Sequence, residues 1–282
     1  MFYKETSLIY LGLLFAVFAA ISWGTFFVPI RKVGITNVLQ LQGATSIGIL
    51  LFAIPIGFFW GFQIQLSGLV AGIIWTVSNI LALYAVRLIG LARTSPFLAG
   101  FSIIASFTWG VLFFGEKFDS LILALVAIGF LLGGLPLVTN GASNSPVQKK
   151  GYLMAAAGGL IGGSYVIPMQ ATHTLQTGFF SSSLSIFMIG IPLFFFARRF
   201  IKKETIAGII SGTLFNVGSL SVLIAIGLIG ITIAYPISQV ATLFAVSWGI
   251  LYFKEIVQKR IIIRVGMGAV LILCGAALLT IA

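Results

Sequence analysis

Long apolar runs separated by short polar breaks occupy almost the whole chain. Ten runs lie near residues 8–30, 37–60, 67–86, 94–115, 120–139, 151–172, 178–197, 205–225, 231–252 and 261–281. A helix needs about 20 apolar residues to cross the hydrocarbon of a bilayer, so the pattern predicts ten transmembrane helices and an all-α integral membrane protein. The longest polar connection is NGASNSPVQKK, Asn140 to Lys150, with Pro146 and a run of small polar residues. It reads as a linker, 140–150, between a first five-helix unit, 1–139, and a second, 151–282.

The two units repeat one another. Trp109-Gly110, Glu116 and Gly129 recur 139 residues later as Trp248-Gly249, Glu255 and Gly268. With the same spacing Gly24 falls on Gly163, Thr25 on Ser164, Phe26 on Tyr165 and Pro29 on Pro168. A spacing of 140 brings Gly68 onto Gly208, Gly72 onto Gly212 and Pro96 onto Pro236. Five helices is an odd number, so the second unit must enter the membrane from the opposite side and form an inverted repeat of the first. Charge agrees: Arg31 and Lys32 correspond to Gln170 and Ala171, while Lys259, Arg260 and Arg264 correspond to Ser120, Leu121 and Leu125.

Composition narrows the class. Sixty per cent of residues are hydrophobic and only 7% are charged, which leaves no room for a soluble domain. The net charge of +11 raises nucleic acid as a partner, but 14 of the 16 basic residues fall in odd-numbered connections, leaving Lys4 and Lys117. That one-sidedness is the positive-inside rule. It predicts odd connections in the cytoplasm, both termini outside, and a lipid bilayer rather than nucleic acid as the partner. The single cysteine, Cys274, provides neither a disulfide framework nor a metal cluster. The first run lacks a small-residue cleavage site and reads as a span rather than a removed signal peptide.

No nucleophile with a partner base, phosphate loop or metal-ligand set is visible, so no enzyme activity, cofactor or metal is expected. What stands at membrane depth is neutral: carboxamides Gln42, Asn79, Asn216 and Gln239, and aromatics Trp23, Trp75, Tyr165 and Tyr235. Amides in hydrocarbon need a partner or a wet cavity, so these residues either bind substrate or clamp helices together. Glu116 and Glu255 end the fourth and ninth helices on opposite faces, as gates or as structural helix ends. Glycine pairs Gly68/Gly72 and Gly208/Gly212 allow close helix approach, and Pro29, Pro96, Pro168 and Pro236 permit kinks. A cavity of amides and aromatic faces suits a neutral polyhydroxy solute, since amides donate to and accept from hydroxyls while a ring covers the C–H side of a sugar.

The paired five-helix halves, each with a Trp-Gly…Glu helix end and a following Gly-bearing helix, resemble the drug/metabolite transporter superfamily over nearly the whole chain. Within it, SWGTFFVPIRK (Ser22 to Lys32), GIIWTVSNILALYAVRLIGLA (Gly72 to Ala92), GTLFNVGSLSVLIAIGLIG and ISQVATLFAVSWGILYFKE resemble the glucose/ribose porter family of sugar uptake proteins. The resemblance implies a central cavity formed by helices 1–4 and 6–9, with helices 5 and 10 as peripheral supports. Unlike the small multidrug transporters, Leu8 to Ile21 contains no acid to exchange a proton. The expectation is therefore a secondary transporter of a small neutral sugar in the cytoplasmic membrane, working by alternating access. The alternatives are an exporter of amino acids or other small metabolites and, from another class, a membrane receptor or structural protein.

Overall fold

The structure is a computed structural model that describes residues 2–113, 120–139, 146–197, 200–229, 234 and 237–279. Among these residues every regular element is helical. The helices are α1 (Phe2–Thr25), α2 (Val28–Val33), α3 (Val38–Trp60), α4 (Leu66–Ile89), α5 (Leu91–Leu112) and α6 (Leu121–Thr139). They continue with α7 (Pro146–Gly162), α8 (Ile167–Ala171), α9 (Gly178–Phe196), α10 (Lys202–Ile229), α11 (Ala241–Ser247) and α12 (Lys259–Leu279), with a π-helical turn over Trp248–Tyr252. Six described stretches are long and apolar enough to cross a membrane: Leu8–Val33, Val38–Trp60, Leu66–Ile89, Pro146–Ala171, Gly178–Phe196 and Lys202–Ile229. Each of the ten predicted runs coincides with a helix or a helical pair.

Two of those runs are broken rods. The first bends at Phe26–Phe27 between α1 and α2, the sixth at residues 163–166 between α7 and α8. In both cases a proline, Pro29 or Pro168, occupies the first turn of the short second piece. Proline has no N–H to donate and clashes with the carbonyl four residues back, so it favours a break, and the first turn of a new helix tolerates it; α3, α5, α6 and α9 nevertheless carry Pro55, Pro96, Pro136 and Pro192 inside unbroken helix. Likewise α7 begins at Pro146, inside the expected linker, because the ring presets a helical φ. Glycines with positive φ, Gly34, Gly61 and Gly90, close α2, α3 and α4.

Counting each broken rod as one helix, the first, third, seventh and ninth connections meet at one end of the bundle, where Glu255 pairs with Arg31 and accepts from Leu91 and Ala92, and Thr36 donates to Glu204. This end is termed the basic face. The second and sixth connections meet at the other, far face, where Ser67 and Thr174 share a hydrogen bond of 2.7 Å. Between the two ends α3 packs on α9 and α10, α4 on α7 and α9, α1 on α10, α5 on α7, and α6 on α12.

Both predicted glycine pairs sit in seams where backbone meets backbone. A Cβ on Gly72 would lie 2.5 Å from the carbonyl oxygen of Ser182 on α9, and one on Gly212 would overlap the Thr45 carbonyl of α3. Backbone, unlike a side-chain tip, cannot step aside. Gly212→Leu is therefore expected to destabilise the protein by about 1–3 kcal/mol through overpacking. Gly227→Leu, where a Cβ finds only Gln176 Nε2 at 3.7 Å, is the control. Thermal unfolding of the two variants in detergent distinguishes them, and equal melting would refute the role assigned to the seam.

Candidate functional site

The two breaks face one another across a central cavity of about 200 Å³. Phe26 and Phe27 from the first break and Tyr165 and Val166 from the second are in its wall, together with Trp23, Trp75 and Phe215. Phe215 is the centre of the aromatic group: its ring centroid is 4.4 Å from that of Trp75, 5.7 Å from Phe26 and 6.4 Å from Trp23. Trp23 Nε1 donates to the Phe215 carbonyl oxygen at 3.2 Å, which fixes the indole along the wall. Drug-sized ligands fill ~300–1,000 Å³, so this cavity suits a smaller molecule.

The polar part of the wall is Asn79 on α4, Gln239 at the start of the Ile237–Tyr252 helical stretch, and several hydroxyls. Three of the hydroxyls are already committed to helix packing, Ser78 Oγ to the Gly158 carbonyl at 2.8 Å, Ser102 Oγ to that of Gly159 at 2.9 Å and Ser106 Oγ to that of Gly163 at 2.9 Å. The carboxamides are freer. Asn79 spends one N–H on Gln42 Oε1 at 2.7 Å, and Gln239 makes no hydrogen bond to another described residue. No charged side chain is among the described residues of the wall.

A smaller cavity of about 60 Å³ lies towards the far face, against Ala71, Gly72, Leu175, Ser182 and Asn216. It shares Trp75, Tyr165, Val166 and Phe215 with the central one, so these four side chains form the partition between them. Both donors of the Asn216 amide are used, on the Ile49 carbonyl at 2.8 Å and Ser183 Oγ at 3.0 Å. That arrangement joins α10 to α3 and α9.

At the basic face the chain leaves the π turn through Lys254, whose φ of 51° is left-handed, and turns the next side chain inward. Glu255 accepts from the backbone N–H groups of Leu91 at 2.9 Å and Ala92 at 2.8 Å, and from Arg31 Nε at 2.8 Å. A carboxylate at a helix N-terminus meets unpaired N–H groups and the positive end of the helix dipole. Gly90, next to Leu91, cannot carry a side chain: its φ is 80° and a Cβ would meet Glu255 Oε2 at 2.6 Å. Glu255 therefore ties together α2, α5 and the segment leading to α12.

The family model described as "Sugar transport protein" matches residues 14–282. The chain belongs to this sugar transport protein family. The glucose uptake protein GlcU of Bacillus subtilis is 26% identical over 96% of the chain and 99% of its own length. A provisionally named ribose uptake protein, RbsU, of Latilactobacillus sakei is 26% identical over 94% and 97%. A solved structure described only as a crystal structure of a protein shares the fold, with a TM-score of 0.60 at 15% identity over 95% of this chain and 96% of that one. Membership of the sugar transport family makes the chain a multi-pass membrane transporter rather than an enzyme.

Of the residues singled out from sequence, Trp23, Trp75, Asn79, Tyr165 and Gln239 come together on the central wall. Asn216 lies on the smaller cavity, and Gln42 is fully buried behind Asn79 on neither wall. Tyr235 and Glu116 lie outside the described residues. Sequence reasoning missed Phe215, although the 140-residue spacing sets it opposite Trp75. It also missed Glu204, which is 1% exposed and accepts from the Thr36 N–H at 2.9 Å, the Thr36 hydroxyl and the Asn37 N–H at 3.4 Å. Glu255→Ala should cost about 1–3 kcal/mol, because two helix N–H groups and a guanidinium lose their acceptor together. Glu255→Gln, which keeps an acceptor oxygen, should lose less. Chemical unfolding in detergent measures both, and an Ala variant as stable as the parent would dismiss the tie.

Proposed function

We propose that the chain carries a small neutral sugar, of glucose or ribose type, across the cytoplasmic membrane by alternating access between two inverted five-helix halves. The observation that carries this reading is the central cavity, whose described wall is an uncharged box of two carboxamides and six aromatic rings at the meeting point of two broken rods. Its chemistry matches a sugar, with amides for hydroxyls and ring faces for C–H groups. The names of the B. subtilis and L. sakei relatives point the same way. Ten spans with the basic face in the cytoplasm follow from the ten runs and their charge.

Contacts that recur at the repeat spacing support inversion. Trp109 Nε1 donates to Ser164 Oγ at 2.7 Å, and its counterpart Trp248 Nε1 donates to Thr25 Oγ1, the counterpart of Ser164, at 3.2 Å. A Cβ on Gly24 would meet the Ala241 carbonyl at 2.6 Å, and one on the equivalent Gly163 would overlap the carbonyl of Ser102, 139 residues before Ala241. Much of the central wall maps onto itself: Phe26 pairs with Tyr165, Phe27 with Val166, and Trp75 with Phe215. A substrate site on the axis relating two inverted halves is reached equally from either face, as alternating access demands.

Counterflow of labelled glucose and ribose in liposomes, with and without a pH gradient, tests the proposal. Asn79→Ala is expected to raise the half-saturation concentration about tenfold, the loss of roughly one hydrogen bond, with folded yield unchanged. Asn216→Ala is expected to lower the unfolding temperature instead, since its amide is spent on three helices. Exchange of an amino acid or other metabolite with no response to sugars would replace the substrate and leave the fold standing.

A further inference from the structure

The central cavity treats the two halves alike, but the smaller one does not. It lies on the far face between α4, α8, α9 and α10, next to the connection 172–177. Its counterpart under the repeat would lie on the basic face between α10, α2, α3 and α4, next to the connection 34–37. The register is fixed by matched contacts. Gly68 packs on the Gly178 carbonyl as Gly208 packs on that of Leu41, and Ser185 meets the Leu69 carbonyl as Gly48 meets that of Ile209. Thus α4 corresponds to α10 with the 140 spacing, and α3 to α9 with 137. Under that register Thr45 corresponds to Ser182, Gln42 to Phe179, and Ser211 to Ala71, all three counterparts lining the far-face cavity.

At the corresponding place on the basic face the described side chains are packed together. Phe27, Ile30, Leu41, Ala82 and Leu83 are buried against one another. Gln42 Nε2, Thr45 Oγ1 and Ser211 Oγ are also buried in this region and have no hydrogen-bond partner among the described residues, on side chains of 0% exposure. Native interiors rarely leave such groups unmet. Three of them where the repeat calls for a cavity mark walls that are wet in another arrangement of the same helices.

The mouth of this region is where Glu204 sits. From the first turn of α10 its carboxylate holds Thr36 and Asn37 at the start of α3. Gln40 adds bonds from α3 to the Ile201 carbonyl at 2.8 Å and Thr205 Oγ1 at 2.9 Å. The residue corresponding to Glu204 on the far face is Ile64, 58% exposed and unable to accept any hydrogen bond through its side chain. The basic face carries a carboxylate clasp and is shut, whereas the far face, tied by the neutral Ser67–Thr174 hydroxyl bond, has no carboxylate there and holds a cavity.

We infer that a second vestibule, counterpart of the far-face cavity, opens on the basic face between α3, α4 and α10, and that the Glu204 carboxylate is the latch that holds it closed. This rests on the inverted-repeat reading above. Its walls, a carboxamide and two hydroxyls, would pass the same class of neutral hydroxylated solute. Glu204 acts through the helices it ties and does not itself touch substrate.

The test needs no sugar. In a Cys274→Ser background, Thr45→Cys and Ser182→Cys are exposed to a membrane-impermeant maleimide from each side of oriented vesicles. With Glu204 intact, Ser182→Cys should label from the far side and Thr45→Cys slowly, from the basic side. Glu204→Ala should raise the Thr45→Cys rate about tenfold, the shift from losing one charge-assisted hydrogen bond, and lower that of Ser182→Cys. An unchanged Thr45→Cys rate in folded Glu204→Ala overturns the latch. Should that variant not fold, the same comparison in Glu204→Gln or Thr36→Ala decides in the same way. Complete protection of Thr45→Cys from the basic side in the Glu204 protein on exhaustive labelling overturns the vestibule. A faster Thr45→Cys with an unchanged Ser182→Cys supports the latch and refutes alternation between the faces. A wrong substrate would leave every one of these rates as they are.

Discussion

A helix interrupted inside hydrocarbon leaves backbone N–H and C=O groups that no lipid can meet. Such breaks persist only where protein or water supplies the partners. Here the two interruptions, at Phe26–Phe27 and at residues 163–166, lie opposite one another and between them enclose the central cavity. The prolines that begin the second pieces, the tryptophans that hydrogen-bond Thr25 and Ser164 beside the breaks, and the aromatic wall all answer that one requirement. An unbroken first and sixth rod would leave the bundle without a site.

The helices around the cavity are held by two unlike kinds of contact. Glycine seams let α3 and α10, and α4 and α9, approach with backbone nearly against backbone. They gain packing without demanding a fixed partner, and small residues let packed helices slide. At the basic face the contacts are directional and ionic: Glu255 on Leu91, Ala92 and Arg31, and Glu204 on Thr36 and Asn37. Glu204 and Glu255 thus tie helix starts at the same end of the bundle.

Much of this was legible in the sequence because its causes are local or repeated. Apolar runs give the helices, two of the four matched prolines, Pro29 and Pro168, stand at the breaks while Pro96 lies inside unbroken α5 and Pro236 outside the described residues, and recurrence of Gly68-xxx-Gly72 as Gly208-xxx-Gly212 gives the tight seams. What escaped depends on three-dimensional placement. Phe215 is one of 26 phenylalanines, and nothing in its neighbours marks it out. Glu204 follows Lys202 and Lys203 and reads as part of a solvated charged loop, whereas the fold buries it under the start of α3. Asn79, Asn216 and Gln42 look equivalent as isolated amides in apolar helices. Packing separates them into one on a cavity wall, one used as a clamp, and one behind the wall.

The absence of charge among the described residues of the central wall has an electrical consequence. A membrane potential does about 2.3 kcal/mol of work per 100 mV on each elementary charge that crosses the field. Cavity walls without charge carry none of it when they rearrange, and a neutral passenger adds none. For such a pair of wall and passenger, the membrane potential does no work on the pair itself as it crosses.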